Sequence, residues 1–125
     1  MLRDLAHKVI RMGEEMGDVK MALKTFLHKV LSDIAPGLVM MLESHVRLRL
    51  GKDLATSIIE EPNKVYEVLS KVIPEETLRI LDKAIARYVL NKYHIRVDDN
   101  LLTELNRGNS RNLIEAALKL YGRIS

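Results

Sequence analysis

Cysteine, tryptophan and glutamine are absent from this chain of 125 residues, and it has only three prolines and one phenylalanine. Without cysteine the chain can form neither disulfides nor thiolate metal sites. Its longest apolar run covers 37–42, whereas a membrane-spanning helix needs about 20 apolar residues. The N-terminus lacks the small-residue cleavage site of a signal peptide, so we expect a cytoplasmic protein without membrane contact.

The composition is that of an ordinary globular domain, with 47% apolar and 30% charged residues. The length suits one domain, 1–125, that buries roughly two thirds of its unfolded surface. The net charge of +3 is too small to demand an acidic partner. Abundant charge without glutamine or cysteine is also typical of thermophile proteins.

Apolar residues recur at helical spacing from end to end, which predicts an all-α bundle of about six to seven helices. An N-terminal oligomerisation helix over 1–35 precedes a bundle over 37–122. Gly13 and Gly17 leave two alternatives for the first segment, a long helix over about 2–34 or a hairpin broken near 13–18. The other predicted helical segments are 37–50, 62–73, 74–93, 98–106 and 111–122. Residues 53–60 form a short helix or an irregular turn, and 94–97 form an extended linker.

Nine apolar residues near the N-terminus alternate spacings of three and four, which is a heptad seam. Because so narrow a seam usually packs on a partner helix, we predict a homodimer or higher oligomer with the seam as its interface. The alternative is packing within the chain, since further apolar residues (Ile10, Met21, Leu27 and Leu31) widen the stripe. The seam consists of Leu2, Leu5, Val9, Met12, Met16, Val19, Leu23, Phe26 and Val30.

The second half of the chain faintly repeats the first. The pattern R-x-x-L-x-K at 47–52 recurs at 87–92, and an acidic pair follows each occurrence. In this correspondence Asn91 stands where the first copy has Gly51. A true repeat predicts two three-helix units that share the helix over 75–93, and the alternative is chance similarity between amphipathic helices.

The segments His45–Leu54 and Ile58–Tyr66 resemble small all-α output domains found in some archaeal signal-transduction proteins. The shared pattern is a helix ending near Gly-Lys, an acidic-proline turn, an aromatic two-turn helix and a closing helix. The resemblance covers about 38–90 and extends again over 81–120 if the repeat is real. It implies a fold and a lineage of uncharacterised function rather than a chemistry.

Residues able to carry chemistry form no recognisable set. The four histidines are scattered and lack the three- or four-residue spacing, with carboxylates, of a helical metal site. No serine or threonine lies in a nucleophile-elbow context, and the sequence has no glycine-rich phosphate loop. We therefore expect no enzyme activity, no metal and no other cofactor.

Three cations spaced by four, Arg79, Lys83 and Arg87, share one predicted helix face, and Arg96 follows downstream. Such a basic ridge can follow the phosphates of a nucleic acid. The simpler interpretation is a solvated face, because Glu75 lies four residues before Arg79 and can pair with it. Two functional hypotheses remain: a non-enzymatic regulatory or protein-interaction module that self-associates, and a small nucleic-acid-binding transcriptional regulator.

Overall fold

The computed structural model describes the backbone of residues 12–124 and the side chains of residues 17–123. The described residues contain helices and connecting loops without any β-strand, so the predicted all-α fold is confirmed. The elements are α1 (Met12–Phe26), which continues into a π-helical turn (Leu27–Leu31) and a last helical turn (Ser32–Ile34), then α2 (Leu38–Leu50), α3 (Leu54–Glu60), α4 (Pro62–Val72), α5 (Glu75–Tyr93), a 3-10 helix (Thr103–Arg107) and α6 (Arg111–Ile124).

The helix ends follow the glycine and proline signals in the sequence. Gly51 ends α2 in the left-handed conformation with φ 73°, a geometry that glycine adopts without steric cost. Pro62 is the first residue of α4, where its missing N–H leaves no hydrogen bond unmade. The residue that ends α5 as Gly51 ends α2 is His94, with φ 59°, three positions beyond Asn91. Residues 94–98 have no regular structure, which agrees with the predicted linker.

The first helix runs without a break from Met12 to Ile34, so the described part does not form a hairpin near 13–18. The π-helical turn over Leu27–Leu31 lies between its two α-helical parts. A π turn holds one residue more than a regular α-helical turn and so absorbs an extra residue within the helix. Residues 1–11 lie outside the described residues.

One core runs through all the described helices. Helix α1 packs against α6 and α3, while α2, α3 and α4 contact one another. The 3-10 helix packs against α4 and α5, and α5 also contacts the π turn. The largest fully buried side chains are Leu23, Phe26, Leu31, Leu42, Ile58, Leu69, Leu78, Ile85, Leu101, Leu105, Leu113 and Leu120.

The predicted oligomer seam is wrong at three of its nine positions. Leu23, Phe26 and Val30 are buried in the core of the chain itself, because α1 packs against α6 and α3 and the π turn packs against α2 and α5. Leu27 and Leu31 are buried as well, as the intramolecular alternative required, whereas Met21, which that alternative also included, is 51% exposed.

The structure does not contradict the prediction at the other six seam positions. Val19 is partly buried and packs against the core. Leu2, Leu5 and Val9 lie outside the described residues, and the side chains of Met12 and Met16 are not described. For these five positions the oligomer interface stays a prediction.

Candidate interaction surfaces

A buried carboxylate joins α5 to the 3-10 helix. Asp82 is fully buried, and its two carboxylate oxygens accept hydrogen bonds from Leu102 N (2.8 Å), Thr103 N (3.0 Å) and Thr103 Oγ1 (2.9 Å). Thr103 is the first residue of the 3-10 helix, so Asp82 satisfies N–H groups that the start of a helix leaves free. These hydrogen bonds stabilise the fold, and the buried carboxylate is not accessible to a substrate.

Burial raises the pKa of the Asp82 carboxyl, although the hydrogen bonds from Leu102 and Thr103 oppose that effect. The periodicity of α5 could have revealed this residue, because Asp82 shares the face of Leu78 and Ile85. An acidic residue on a predicted core face requires buried donors, and that signal was missed.

A second carboxylate joins α2 to α3. Glu43 Oε2 accepts from Leu54 N at 3.0 Å, and the Asp53 side chain caps α3 by accepting from Thr56 N at 3.2 Å. Lys24 on α1 lies 3.5 Å from Asp53 and ties the first helix to the same junction. These are the interactions expected at a helix N-terminus, so the residues support the fold.

The residues that carry the resemblance to output domains form an ion-pair network around α3. Lys52 Nζ lies 2.8 Å from Glu60 and 3.0 Å from Glu61, and Lys64 Nζ lies 3.0 Å from Glu61. Hydrogen bonds from Lys64 and Lys52 lower the pKa of Glu61. The motif therefore holds a short helix between two neighbours, which accounts for its residue types without a ligand.

A third polar cluster links the end of the first helix to α5. Tyr88 donates a hydrogen bond to Asp33, and Lys92 Nζ lies 3.3 Å from the same carboxylate and 3.0 Å from the Tyr88 hydroxyl. The hydrogen bonds from Tyr88 and Lys92 lower the pKa of Asp33. The lysine also lies 5.6 Å from the ring centroid of Tyr93, which suits a cation–π contact.

Within the part of the chain that the structure describes, no group of three or more histidine and carboxylate side chains could hold a metal ion. None of the described helices is sufficiently long and apolar to cross a membrane. The expectation that the protein is not an enzyme remains a prediction.

The predicted basic ridge divides into two kinds of residue. Arg79 pairs with Glu75 at 3.2 Å, as the solvated-face interpretation requires. Lys83, Arg87 and Arg96 are exposed and have no acidic partner among residues 17–123. Three of the four predicted residues therefore carry charges that the described structure does not neutralise.

Several large apolar side chains stay exposed, a feature that the sequence did not reveal. On α2, Met40 is 74% exposed and Leu48 is 83% exposed. On α5, Ile80 is 67% exposed and Leu90 is 39% exposed, one turn before and one turn after the unpaired Lys83 and Arg87. The α5 face therefore combines apolar side chains with unpaired cations.

Comparison with known proteins gives one relative of similar length. The chain is 31% identical over 104 residues to a protein of Archaeoglobus fulgidus described as uncharacterised, and the match spans 82% of this chain and 84% of that protein. The chain belongs to this archaeal family. No family model matches the chain, and no solved structure matches it. The match agrees with the archaeal lineage implied by the output-domain resemblance. It does not point to any particular activity.

Proposed function

We propose that the protein is a non-enzymatic protein-interaction module that self-associates through the N-terminal part of its first helix. The division of the heptad seam carries this proposal. The seam positions from Leu23 to Val30 serve the core of the chain, whereas the five positions from Leu2 to Met16 continue the same spacing toward the N-terminus. A second copy offers the same apolar stripe, and two such stripes bury each other in a coiled-coil contact.

The polar clusters are consistent with a module that has no catalytic site. Asp82, Glu43 and Asp33 each accept hydrogen bonds that join one helix to another element. Their chemistry is used within the fold, and an interaction module needs nothing more from them.

Light scattering on the full chain tests self-association. At micromolar concentration we expect a mass of at least twice 14.3 kDa. Val9→Glu places a charge in the seam and is expected to give a monomer with unchanged helicity. His7→Glu is the matched control. His7 lies two residues before Val9 and is not a seam position, so this substitution should leave the assembly intact. A wild-type monomer of 14.3 kDa would contradict the proposal.

A nucleic-acid-binding regulator is the second candidate, and the unpaired charges of Lys83, Arg87 and Arg96 favour it. If these residues contact phosphates, each change to alanine should weaken binding to any duplex sequence about equally. Each should also lower the salt slope by about one counterion. Arg79→Ala is expected to have a smaller effect, because Glu75 already neutralises Arg79. Absence of duplex binding at about 50 mM salt would remove this candidate.

A further inference from the structure

The solvent-exposed face of α5 carries a stripe with the spacing of a helix–helix contact. Ile80, Lys83, Arg87 and Leu90 are separated by three, four and three residues, and all four side chains are exposed. The opposite face of α5 is buried in the core through Leu78, Leu81, Ile85 and Val89. The stripe thus faces away from the chain, and its eleven residues, 80–90, cover about 15 Å of helix, or nearly three turns.

A shallow depression lies at the C-terminal end of the stripe. Its volume is about 250 Å³, and it is lined by Ala86, Arg87, Leu90, Arg96 and Val97. The lining therefore pairs three apolar side chains with two guanidinium groups and includes no carboxylate. Such a lining accepts an apolar anchor and places two cations where a partner's carboxylates would pair with them.

The charges around the stripe leave its central cations free. Arg79 is paired with Glu75, and Lys92 is paired with Asp33. Along the stripe itself, the exposed carboxylate of Glu76 lies seven residues before Lys83. Asp98 and Glu115 line a neighbouring depression, which shares Arg96 and Val97 with the one at the stripe. Lys83 and Arg87 are therefore the cations of the stripe that most need an acidic partner.

We propose that this stripe binds an acidic amphipathic helix of another protein. The partner helix would place apolar residues against Ile80 and Leu90 and carboxylates against Lys83 and Arg87, which is the helix-in-groove mode of recognition. A surface that only follows phosphates gains nothing from Ile80, a side chain that is 67% exposed. The proposal rests on the proposed function, since it names a partner for a protein-interaction module.

A display library of helical peptides about 16 residues long, selected on the intact protein, tests the proposal. We expect the selected peptides to carry aspartate or glutamate between two apolar residues. Their affinity, measured by fluorescence anisotropy, should fall at least about tenfold in Ile80→Ser and in Arg87→Glu. All stripe side chains are exposed, so these variants should fold, which circular dichroism checks.

Matched controls are available on other helices. Leu48→Ser removes an exposed apolar side chain from α2, and Lys71→Glu reverses an exposed charge on α4, so both should leave peptide affinity unchanged. The proposal is overturned if no acidic peptide is selected, or if the stripe variants bind as tightly as the wild type. It is also overturned if duplex DNA binds and depends on Lys83 and Arg87 but not on Ile80.

Light scattering separates this outcome from that of the proposed function. Arg87→Glu should leave the oligomeric state as in the wild type, because the stripe lies on α5 and the seam on the first helix. If the wild type binds no acidic peptide but self-associates, the stripe alone is rejected; if it binds acidic peptides through the stripe but is a monomer, the proposed self-association alone is rejected.

Discussion

At two junctions of the molecule a carboxylate accepts hydrogen bonds from backbone N–H groups at the start of a helix. One carboxylate is partly exposed and the other is fully buried. At the α2–α3 junction, Glu43 accepts from the first N–H of α3 and lies among the ion pairs of Arg47 and Lys52 near the surface. At the junction of α5 with the 3-10 helix, Asp82 likewise accepts hydrogen bonds from backbone N–H groups, but it is fully buried. No cation among the described residues lies within bonding distance of it. The α2–α3 junction is thus held by partly exposed polar groups, and the junction of α5 with the 3-10 helix by buried hydrogen bonds.

The surface ion pairs around α3 and the buried Asp82 also respond differently to pH. Glu61 has a lowered pKa because it accepts hydrogen bonds from Lys64 and Lys52, so its stabilisation is lost as the pH falls through that lowered value. Asp82 has a raised pKa because it is buried, so the folded state keeps a proton that the unfolded chain has already lost. Between the ordinary value of 3.8 and the raised value, stability falls as the pH rises.

Removal of Asp82 is expected to have the largest effect of any change at either junction. Asp82→Ala leaves the Leu102 and Thr103 N–H groups buried without acceptors, and should lower the free energy of unfolding by about 3 kcal/mol. Urea denaturation followed by circular dichroism measures it. Asp99→Ala removes an exposed carboxylate nearby and should leave stability close to that of the wild type. Equal losses in the two variants would show that burial at this junction contributes nothing.

The pH dependence of the Asp82 junction gives a smaller effect of defined sign. Asp82→Asn cannot titrate, so the difference in unfolding free energy between the wild type and this variant should change only through Asp82. We expect the wild type to lose stability relative to the variant as the pH rises from 3.8 through the raised pKa of Asp82. Denaturation at a series of pH values measures it. A flat difference would contradict the raised pKa.

The Glu43 junction should lose less than the Asp82 junction. Glu43→Ala removes the acceptor of Leu54 N, which lies in a partly exposed site, and should cost about 1 kcal/mol. Water can replace part of this hydrogen bond because the Glu43 side chain is 21% exposed. The measurement is the same urea titration. A loss as large as that of Asp82→Ala would remove the distinction between the two junctions.

The smallest effect is expected from the ion-pair network. Lys52→Met removes both contacts to Glu60 and Glu61 while keeping an aliphatic stem of similar length. The stability difference from the wild type should be small, should shrink in high salt, and should shrink further as the pH falls through the lowered pKa of Glu61. Thermal melts at two salt concentrations measure it. Lys71→Met, at an exposed residue of α4, is the matched control.

The sequence allowed most helix limits to be predicted, because Gly51, Pro62 and Pro74 interrupt the pattern where the helices change. It left the partner of the first helix open, since a heptad period specifies an apolar face and not what covers it. Leu23 and Phe26 are buried on a helix that packs against α6 of the same chain, a contact between distant segments that no local pattern encodes. The exposure of Ile80 depends equally on which neighbours α5 has.

The π-helical turn over Leu27–Leu31 restricts how the length of the chain can change in evolution. Each residue of an α-helix turns the chain by about 100°, and the π turn holds one residue in excess. Because the π turn absorbs that residue, the α-helical parts on either side keep their apolar faces toward the core. A residue inserted or deleted elsewhere in the first helix would instead rotate everything upstream by about 100°, which would turn the buried Leu23 out of the core. Relatives of this protein are therefore expected to vary in length at the loops around Gly37 and 94–100 and, within the first helix, only at the π-helical turn.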